Sequence, residues 1–291
     1  MSLPPPPTTV VFTDLDGTLL DYDGYTWVPA VGAVHALLET GAALVFCSSK
    51  TLAEQRIHQE RLGSRHPLIV ENGSAIAIPR RYFHEQLDLE AAGLPVHRNQ
   101  DYDIMVLGVG RDAVLEALGE LRTEGGIAFR GYADMTLDDV REMTGLPGDA
   151  ARRAQLREFS ETVSVEGGPE AWQRFLRALE VRGLRSFGTG PTGTVVGRNA
   201  DKGRAVTLLT GLYRRAASAS GDGATPVVTI GIGDAANDEP MLQAVDRAFL
   251  VERAGGGWQE LEVGGLERIE GVGPVGWSRV ISRLLKEDSF P

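Results

Sequence analysis

The chain has 291 residues, of which 42% are hydrophobic and 24% are charged, as in an ordinary globular protein rather than a disordered or fibrous one. Its length exceeds the usual size of one domain, so two domains fit better than one. The formal net charge of -11 disfavours a nucleic-acid partner, which needs a clustered basic surface, and the single cysteine, Cys47, excludes a disulfide framework and a cysteine-rich zinc site.

The first nine residues include a run of prolines and two threonines. They lack both the positive start and the apolar stretch of a secretory signal. No run in the sequence approaches the ~18 apolar residues of a membrane-spanning helix. We therefore expect an extended lead-in and a cytoplasmic protein without a membrane partner.

Strands and helices alternate in the first quarter of the chain. Strands are predicted at 10–13, 44–47 and 68–70, where short apolar runs end in polar or glycine-containing turns. Helices are predicted at 29–39 and 51–62. This alternation is typical of a parallel α/β sheet, in which the run containing Cys47 would be buried, so we interpret Cys47 as a small core residue.

The same alternation returns at the far end of the chain. Helices are predicted there at 201–213, 239–244 and 275–285, and strands at 227–232 and 248–251. The middle of the chain has strand patterns at 104–109, 127–130, 158–165 and 194–198 and helix patterns at 112–121, 137–143 and 169–181. We therefore predict an α/β core with a parallel sheet, formed by residues 8–78 and 199–291, with residues 79–198 inserted as an α+β domain.

Two carboxylates follow the first predicted strand. Asp14 and Asp16 lie two residues apart at its carboxyl end, where open parallel sheets place ligands. Gly17 permits a sharp turn, and the backbone N–H groups of such a turn can cradle an anion. Seen alone, the pattern is more commonly a solvated turn, so its function depends on partners elsewhere.

A second pair of carboxylates, Asp234 and Asp238, follows the strand predicted at 227–232. Four carboxylates at neighbouring strand ends repel one another unless a cation neutralises them, and oxygen ligands with an open position for phosphate suit Mg²⁺. Lys202, at the start of a predicted helix, adds a positive charge that could offset both a phosphate and a nucleophile.

Hydroxyl groups also follow the second predicted strand. The segment Ser48-Ser49-Lys50-Thr51 places hydroxyl and backbone N–H donors at a helix N-terminus, which is a natural seat for phosphoryl oxygens. An ordinary helix cap would use the same residue types, and one residue can serve both purposes.

Together these segments resemble the four motifs of the haloacid dehalogenase superfamily, in the same order. The matching residues are Asp14-Leu15-Asp16-Gly17-Thr18, Ser48, Lys202 and Gly233-Asp234-Ala235-Ala236-Asn237-Asp238. An insertion between the second and third motifs resembles the members with a mixed α+β cap domain of the C2B type. The resemblance implies a Rossmann-like core, a cap that determines the substrate, and a phosphatase that depends on magnesium.

The resemblance also implies catalytic roles. Asp14 would attack phosphorus and form an aspartyl phosphate, and Ser48 and Lys202 would assist it at the phosphoryl group. Asp16 would act first as general acid toward the leaving alkoxide and then as general base toward water.

A magnesium site is implied by the same motifs. Mg²⁺ would be held by Asp14, the backbone carbonyl of Asp16 and Asp234. Asn237 and Asp238 would orient it from further out or through water.

The resemblance extends into the inserted domain, where it is to the mannosyl-3-phosphoglycerate phosphatases, which release phosphate and leave mannosylglycerate. The segments that carry it are 12–20, 70–73, 131–136, 144–146, 150–154, 157–162 and 200–206. Before the lysine motif, that family usually has a Gly-Gly-Arg-Phe-like segment, but residues 187–194 here contain no arginine. Glucosyl-3-phosphoglycerate or a broader range of sugar phosphates therefore stays open as the substrate.

Several residues are predicted to bind the substrate: Ser49, Lys50, Asn72 and Thr189. Arg153 and Arg157, four residues apart on a predicted helix, would share one face and could meet a glycerate carboxylate. An ordinary solvated basic face is the alternative. For Glu158 and Glu161, the resemblance alone suggests that they accept hydrogen bonds from sugar hydroxyls.

A non-catalytic phosphate-binding or receiver-like module is the alternative from another functional class. Asp16 and Lys202 argue against it, because merely holding phosphate needs no movable acid beside the nucleophile. No sequence feature indicates an oligomeric state.

Overall fold

The computed structural model describes residues 7–22, 24–83, 88–188, 190–219 and 226–287. Thr189, predicted to bind substrate, and the first six residues of the expected lead-in lie outside these ranges. Within them, no helix combines the length and the apolar character that crossing a lipid bilayer requires.

The strands are β1 (Thr9–Thr13), β2 (Ala43–Cys47), β3 (Leu68–Val70), β4 (Ala75–Pro79), β5 (Val96–Arg98), β6 (Tyr102–Val106), β7 (Phe129–Gly131), β8 (Ser160–Val165), β9 (Leu184–Phe187), β10 (Thr192–Gly197), β11 (Val228–Gly233), β12 (Arg247–Glu252) and β13 (Glu267–Val272). The helices are α1 (Val31–Glu39), α2 (Leu52–Leu62), α3 (Arg111–Gly125), α4 (Leu137–Thr144), α5 (Gly148–Gln155), α6 (Gly168–Val181), α7 (Lys202–Ala219), α8 (Glu239–Gln243) and α9 (Pro274–Lys286).

The described residues form two sheets, and the larger has the strand order β13-β12-β11-β1-β2-β3-β4-β6-β5. From β13 to β3 neighbouring strands run parallel, and from β3 onward the pairs are antiparallel. The central strands β11, β1 and β2 therefore end at the same edge. That edge is where the sequence predicted the functional side chains to meet.

The central strands are buried on both faces. Along β1, Val11 packs with Leu44 and Ile230 in one core, whereas Val10 and Phe12 pack in a second core on the opposite face. Helices α1, α2 and α9 contribute to the first core, and α7 and α8 to the second. Burial on both faces requires nearly continuous apolar runs, which is why these strands were predictable.

A smaller antiparallel sheet, of order β7-β8-β10-β9, forms the inserted domain. Helices α3 and α6 cover one of its faces, where Val114 and Phe175 pack with Val163 and Val195. Helices α4 and α5 form a small cluster of their own around Val140.

The predicted start of the inserted domain at residue 79 needs correction. Strand β6, which falls on the pattern predicted at 104–109, pairs with β4 and with β5 in the larger sheet, so both β5 and β6 extend the core. The sequence alone does not separate the two cases, because an antiparallel edge strand of the core and a strand of a separate domain have the same local pattern. We propose that the inserted domain spans about residues 108–197.

The two connections to the inserted domain lie side by side. A Cβ atom on Gly197 would meet the Val109 backbone nitrogen at 2.9 Å and the Gly108 carbonyl carbon at 3.1 Å. Glycine at 197 therefore allows the outgoing and returning chains to touch.

Candidate active site

Asp14 is fixed by backbone contacts at the end of β1. Its N–H donates to the Ile232 carbonyl of β11 at 3.0 Å. The Thr13 hydroxyl donates to the Asp14 carbonyl at 2.8 Å and accepts from the Trp277 indole of α9 at 3.0 Å. These contacts hold Asp14 through the neighbouring strand and through α9.

The turn after Asp14 requires glycine at position 17. Gly17 has a φ of +83°, and a Cβ atom there would lie 2.2 Å from the Tyr22 ring and 2.7 Å from Asp234 Oδ2. The Gly17 N–H donates to the Leu20 carbonyl at 2.7 Å, which closes the turn against Asp234.

Three buried carboxylates meet at the carboxyl edge of the larger sheet, each with an oxygen within 4.8 Å of the others: Asp14, Asp234 and Asp238. Asp234 accepts from the Thr18 hydroxyl at 3.0 Å and from the Tyr22 hydroxyl at 3.2 Å. Asp238 Oδ2 accepts from the backbone N–H groups of Asp234 and Ala235, at 3.0 and 3.1 Å.

Lys202, the first residue of α7, bridges two of these carboxylates. Its ammonium donates to Asp14 Oδ1 at 2.8 Å and to Asp238 Oδ1 at 2.7 Å, and its side chain is 1% exposed. The Asp201 side chain accepts from the Arg204 N–H at 2.8 Å and so caps the helix that carries Lys202.

The cluster retains excess negative charge. Burial raises the pKa of the Asp14 carboxyl well above its ordinary value, Lys202 opposes this rise, and Asp238 and Asp234 add to it. Burial and the Asp238 carboxylate also raise the pKa of Asp234 to about 6. One ammonium does not offset three buried carboxylates, so this cluster can hold a metal ion, as the sequence predicted.

The residues after β2 form a helix cap beside the cluster. Ser48 is 1% exposed, and its Oγ accepts from the Lys50 N–H at 3.3 Å. Thr51 caps α2 in a reciprocal capping box with Glu54. Asp16 is not part of the carboxylate cluster, because its Oδ1 pairs with the Lys50 ammonium at 2.9 Å.

The segment after β3 joins this cap to the last motif. Glu71 and Asn72 have φ values of +50° and +60°, which non-glycine residues rarely adopt. The Asn72 N–H donates to the Ser48 carbonyl at 3.0 Å, and the Asn237 amide donates to Asn72 Oδ1 at 3.4 Å. The structure thus brings together Ser48, Asn72 and Asn237.

Glu71 was not predicted as a site residue. It is fully buried, and its carboxylate accepts from the N–H groups of Glu158 and Phe159, at 2.9 and 3.1 Å, and from the Ser160 hydroxyl. A core residue therefore binds the start of β8 and the two residues before it, all from the inserted domain. The sequence carries no signal for this, because the partners lie nearly ninety residues further along the chain.

The prediction that Arg153 and Arg157 share one face of a helix is wrong. Helix α5 ends at Gln155, so Arg157 lies beyond it and does not share a helix face with Arg153. Arg157 instead donates to the Ser49 carbonyl at 3.3 Å and to the Ser160 hydroxyl at 2.9 Å, and it lies 3.9 Å from Glu71. Through these contacts Arg157 connects the inserted domain to the core.

Glu161 and Glu158 differ in their surroundings. Glu161 is fully buried, its Oε2 pairs with Arg111 at 2.6 Å, and its Oε1 accepts from the Ala133 N–H at 2.8 Å. Both Glu161 oxygens are thus engaged within the inserted domain, which argues against a role for Glu161 in sugar binding. The side chain of Glu158 is exposed.

Replacing Glu71 with alanine should lower the free energy of unfolding by about 3 kcal/mol, because three donors, two of them in buried hydrogen bonds, would lose their acceptor. Urea denaturation of both proteins measures the difference. Glu39→Ala, at the exposed end of α1, is the matched control. A loss no larger than that of the control would show that Glu71 does not hold the inserted domain.

Comparisons with known proteins show the family of the chain. A family model described as haloacid dehalogenase-like hydrolase matches residues 11–109. A glucosyl-3-phosphoglycerate/mannosyl-3-phosphoglycerate phosphatase of Methanococcoides burtonii is 35% identical over 281 residues, which cover 96% of this chain and 98% of that protein. The mannosyl-3-phosphoglycerate phosphatase of Pyrococcus furiosus is 37% identical over 243 residues, which cover 83% of this chain and 90% of that protein.

The fold also resembles that of a solved structure. A solved structure of a phosphatase of the superfamily from Bacteroides thetaiotaomicron matches with a TM-score of 0.63 at 17% identity, covering 96% of this chain and 94% of that one. At this identity the match supports the fold alone, a core with an inserted cap domain. Identity of 35% along almost the whole chain goes further, and the protein therefore belongs to the haloacid dehalogenase-like hydrolases, within the family of mannosyl-3-phosphoglycerate phosphatases.

Proposed function

We propose that the protein is a cytoplasmic, Mg²⁺-dependent phosphatase that converts mannosyl-3-phosphoglycerate to mannosylglycerate through an aspartyl phosphate on Asp14. The observation that carries this proposal is the Lys202 ammonium, which bridges Asp14 and Asp238 beside Asp234. Such a cluster neutralises part of the charge on a nucleophile, and its remaining carboxylate oxygens are suitable ligands for a metal ion.

The first chemical step would form a bond between an Asp14 carboxylate oxygen and phosphorus while the ester P–O bond breaks. The leaving alkoxide would take its proton from Asp16. Positioning and charge neutralisation supply most of the catalysis in such transfers, because the transferring group resembles metaphosphate. Lys202 would neutralise charge, and the Ser48 hydroxyl and the N–H groups after β2 would donate hydrogen bonds to the phosphoryl oxygens.

The second step would return the enzyme to its starting state. Asp16, now ionised, would take a proton from water while the water oxygen attacks the phosphorus of the aspartyl phosphate. Inorganic phosphate leaves and the Asp14 carboxylate is restored.

The donor set fits Mg²⁺. Asp14, Asp234 and the backbone carbonyl of Asp16 would hold it, and it would supply charge neutralisation at the phosphoryl oxygens. Both Asp238 oxygens already accept hydrogen bonds, from Lys202 and from backbone N–H groups, so Asp238 would orient its neighbours, and Asn237 would do so through Asn72.

Glucosyl-3-phosphoglycerate is the second candidate substrate. The relative from Methanococcoides burtonii carries both substrates in its name, and residues 187–194 lack the arginine of the Gly-Gly-Arg-Phe-like segment. The same catalytic residues would serve both, because the two esters present the same phosphoglycerate to Asp14.

Phosphate release from mannosyl-3-phosphoglycerate, glucosyl-3-phosphoglycerate and simple hexose phosphates should test the proposal. We expect kcat/KM to be highest for mannosyl-3-phosphoglycerate, activity to disappear in excess EDTA, and added Mg²⁺ to restore it. A preference for hexose phosphates would contradict the substrate assignment. Absence of turnover with every ester would favour a phosphate-binding module instead.

A further inference from the structure

We propose that Lys50 is a positioning residue for Asp16, fixing one carboxylate oxygen so that the other faces the leaving group, without itself contacting the substrate. This inference rests on the proposed function and deepens it. It also revises the prediction from the sequence that Lys50 binds substrate.

The two oxygens of Asp16 lie in different surroundings. Oδ1 is shielded from solvent, and the Lys50 ammonium lies 2.9 Å from it. The Asp16 side chain as a whole is nevertheless 25% exposed, so its exposure falls on Oδ2 and the methylene group. Oδ2 is therefore the oxygen left to reach a bound ester.

The Lys50 ammonium is surrounded by groups of the protein. Asp16 Oδ1 lies at 2.9 Å, Glu54 Oε1 at 3.9 Å and the centre of the Tyr25 ring at 4.6 Å, while the Lys50 side chain is 9% exposed. Asp16 forms a close ion pair with the ammonium, whereas Glu54 and the Tyr25 ring attract it from further away. These three neighbours account for the position of Lys50 without a contact to the substrate.

Tyr25 is held in an unfavourable backbone conformation. Tyr25 has a φ of +50°, a conformation that a bulky residue adopts only where surrounding contacts impose it. Here Asp21 Oδ1 accepts from the Gly24 N–H at 2.7 Å, and the Asp21 N–H donates to the Thr26 carbonyl at 3.0 Å. The loop thereby places the aromatic ring on Lys50.

Glu54 links this assembly to the inserted domain. Its carboxylate accepts from the Thr51 N–H at 2.9 Å, and the Thr51 hydroxyl donates to the Arg153 carbonyl at 3.0 Å. The groups that hold Lys50 are thus continuous with a contact between the core and α5.

This role predicts a dependence on the leaving group. An alkoxide needs a proton from Asp16 as it leaves, whereas p-nitrophenolate is stable enough to leave without one. Misplacing Asp16 should therefore slow formation of the aspartyl phosphate for alkyl esters and spare aryl esters. The ratio kcat/KM reports this first step.

Lys50→Met should be compared with the unaltered enzyme on mannosyl-3-phosphoglycerate, glycerol phosphate and p-nitrophenyl phosphate. We expect kcat/KM to fall roughly 10²-fold for the first two and less than about 10-fold for the third. Lys50→Arg should recover part of the loss, because a guanidinium can still pair with Asp16. Lys286→Met, exposed on α9, is the matched control, and thermal unfolding checks that the variants fold.

Two outcomes would overturn the inference. A loss confined to mannosyl-3-phosphoglycerate and expressed as a higher KM would show that Lys50 contacts the sugar or the glycerate. An equal loss on all three esters would show contact with the phosphoryl group or general damage. If the unaltered enzyme turned over none of the three esters, the proposed function itself would fail, and this inference with it.

Discussion

Replacing Asp14 with asparagine should lower the rate of phosphate release by roughly 10⁴-fold or more without unfolding the protein. An amide is too weak a nucleophile to attack phosphorus, whereas the size of the side chain is unchanged. The pKa of Asp14 is raised by burial and by neighbouring carboxylates despite the opposing effect of Lys202, which means that its charge is unfavourable in the metal-free folded state. We therefore expect the metal-free variant to melt at the same temperature as the unaltered protein or higher.

Phosphate release under single-turnover conditions, with acid quenching to trap any aspartyl phosphate, measures the first part of this prediction. Asp138→Asn, on the exposed face of α4, is the matched control and should leave both quantities unchanged. Retention of most of the activity in Asp14→Asn would rule out Asp14 as the nucleophile.

The second large effect is expected at Lys202. Its replacement by methionine would leave Asp14 and Asp238 buried without the cation that bridges them. Breaking a buried ion pair from one side costs about 3–5 kcal/mol, so the metal-free variant should be destabilised on that scale. Activity should fall as well, because Lys202 would no longer neutralise charge at the phosphoryl group.

A double variant separates charge from packing at this position. Asp14→Asn together with Lys202→Met should be more stable than Lys202→Met alone, because one of the two unpaired carboxylates is gone. Added Mg²⁺ should raise the melting temperature of the single variant by supplying positive charge. A Lys202→Met protein as stable as the unaltered one in EDTA would contradict this account of the cluster.

The catalytic edge of the larger sheet could be predicted because its residues follow continuous apolar runs. Asp14, Ser48 and Asp234 each come directly after a buried strand, and parallel strands deliver such residues to one edge. Lys202 was predictable as the start of a helix. In these cases a local pattern and a simple topology determine the position of the side chain.

Residues that act across long distances in the chain were not predictable. Tyr22 reaches Asp234 across the turn that Gly17 allows, and Glu71 contacts the start of β8 in the other domain. Strand β13 was missed because its side chains are mostly polar, with Ile269 packing against the core. Such features depend on tertiary packing, which leaves no periodic pattern in the sequence.

The contact between Gly108 and Gly197 allows the sequence of the inserted domain to change separately from that of the core. The chain leaves the core and returns to it at one point, so the inserted domain forms a closed loop on the core. The free-energy cost of closing a loop depends weakly on its length and rises by about 0.6 kcal/mol for each doubling. Substitutions, insertions and deletions in the inserted domain can therefore accumulate while the phosphoryl-transfer machinery stays intact, so that leaving-group preference and phosphate chemistry can evolve independently.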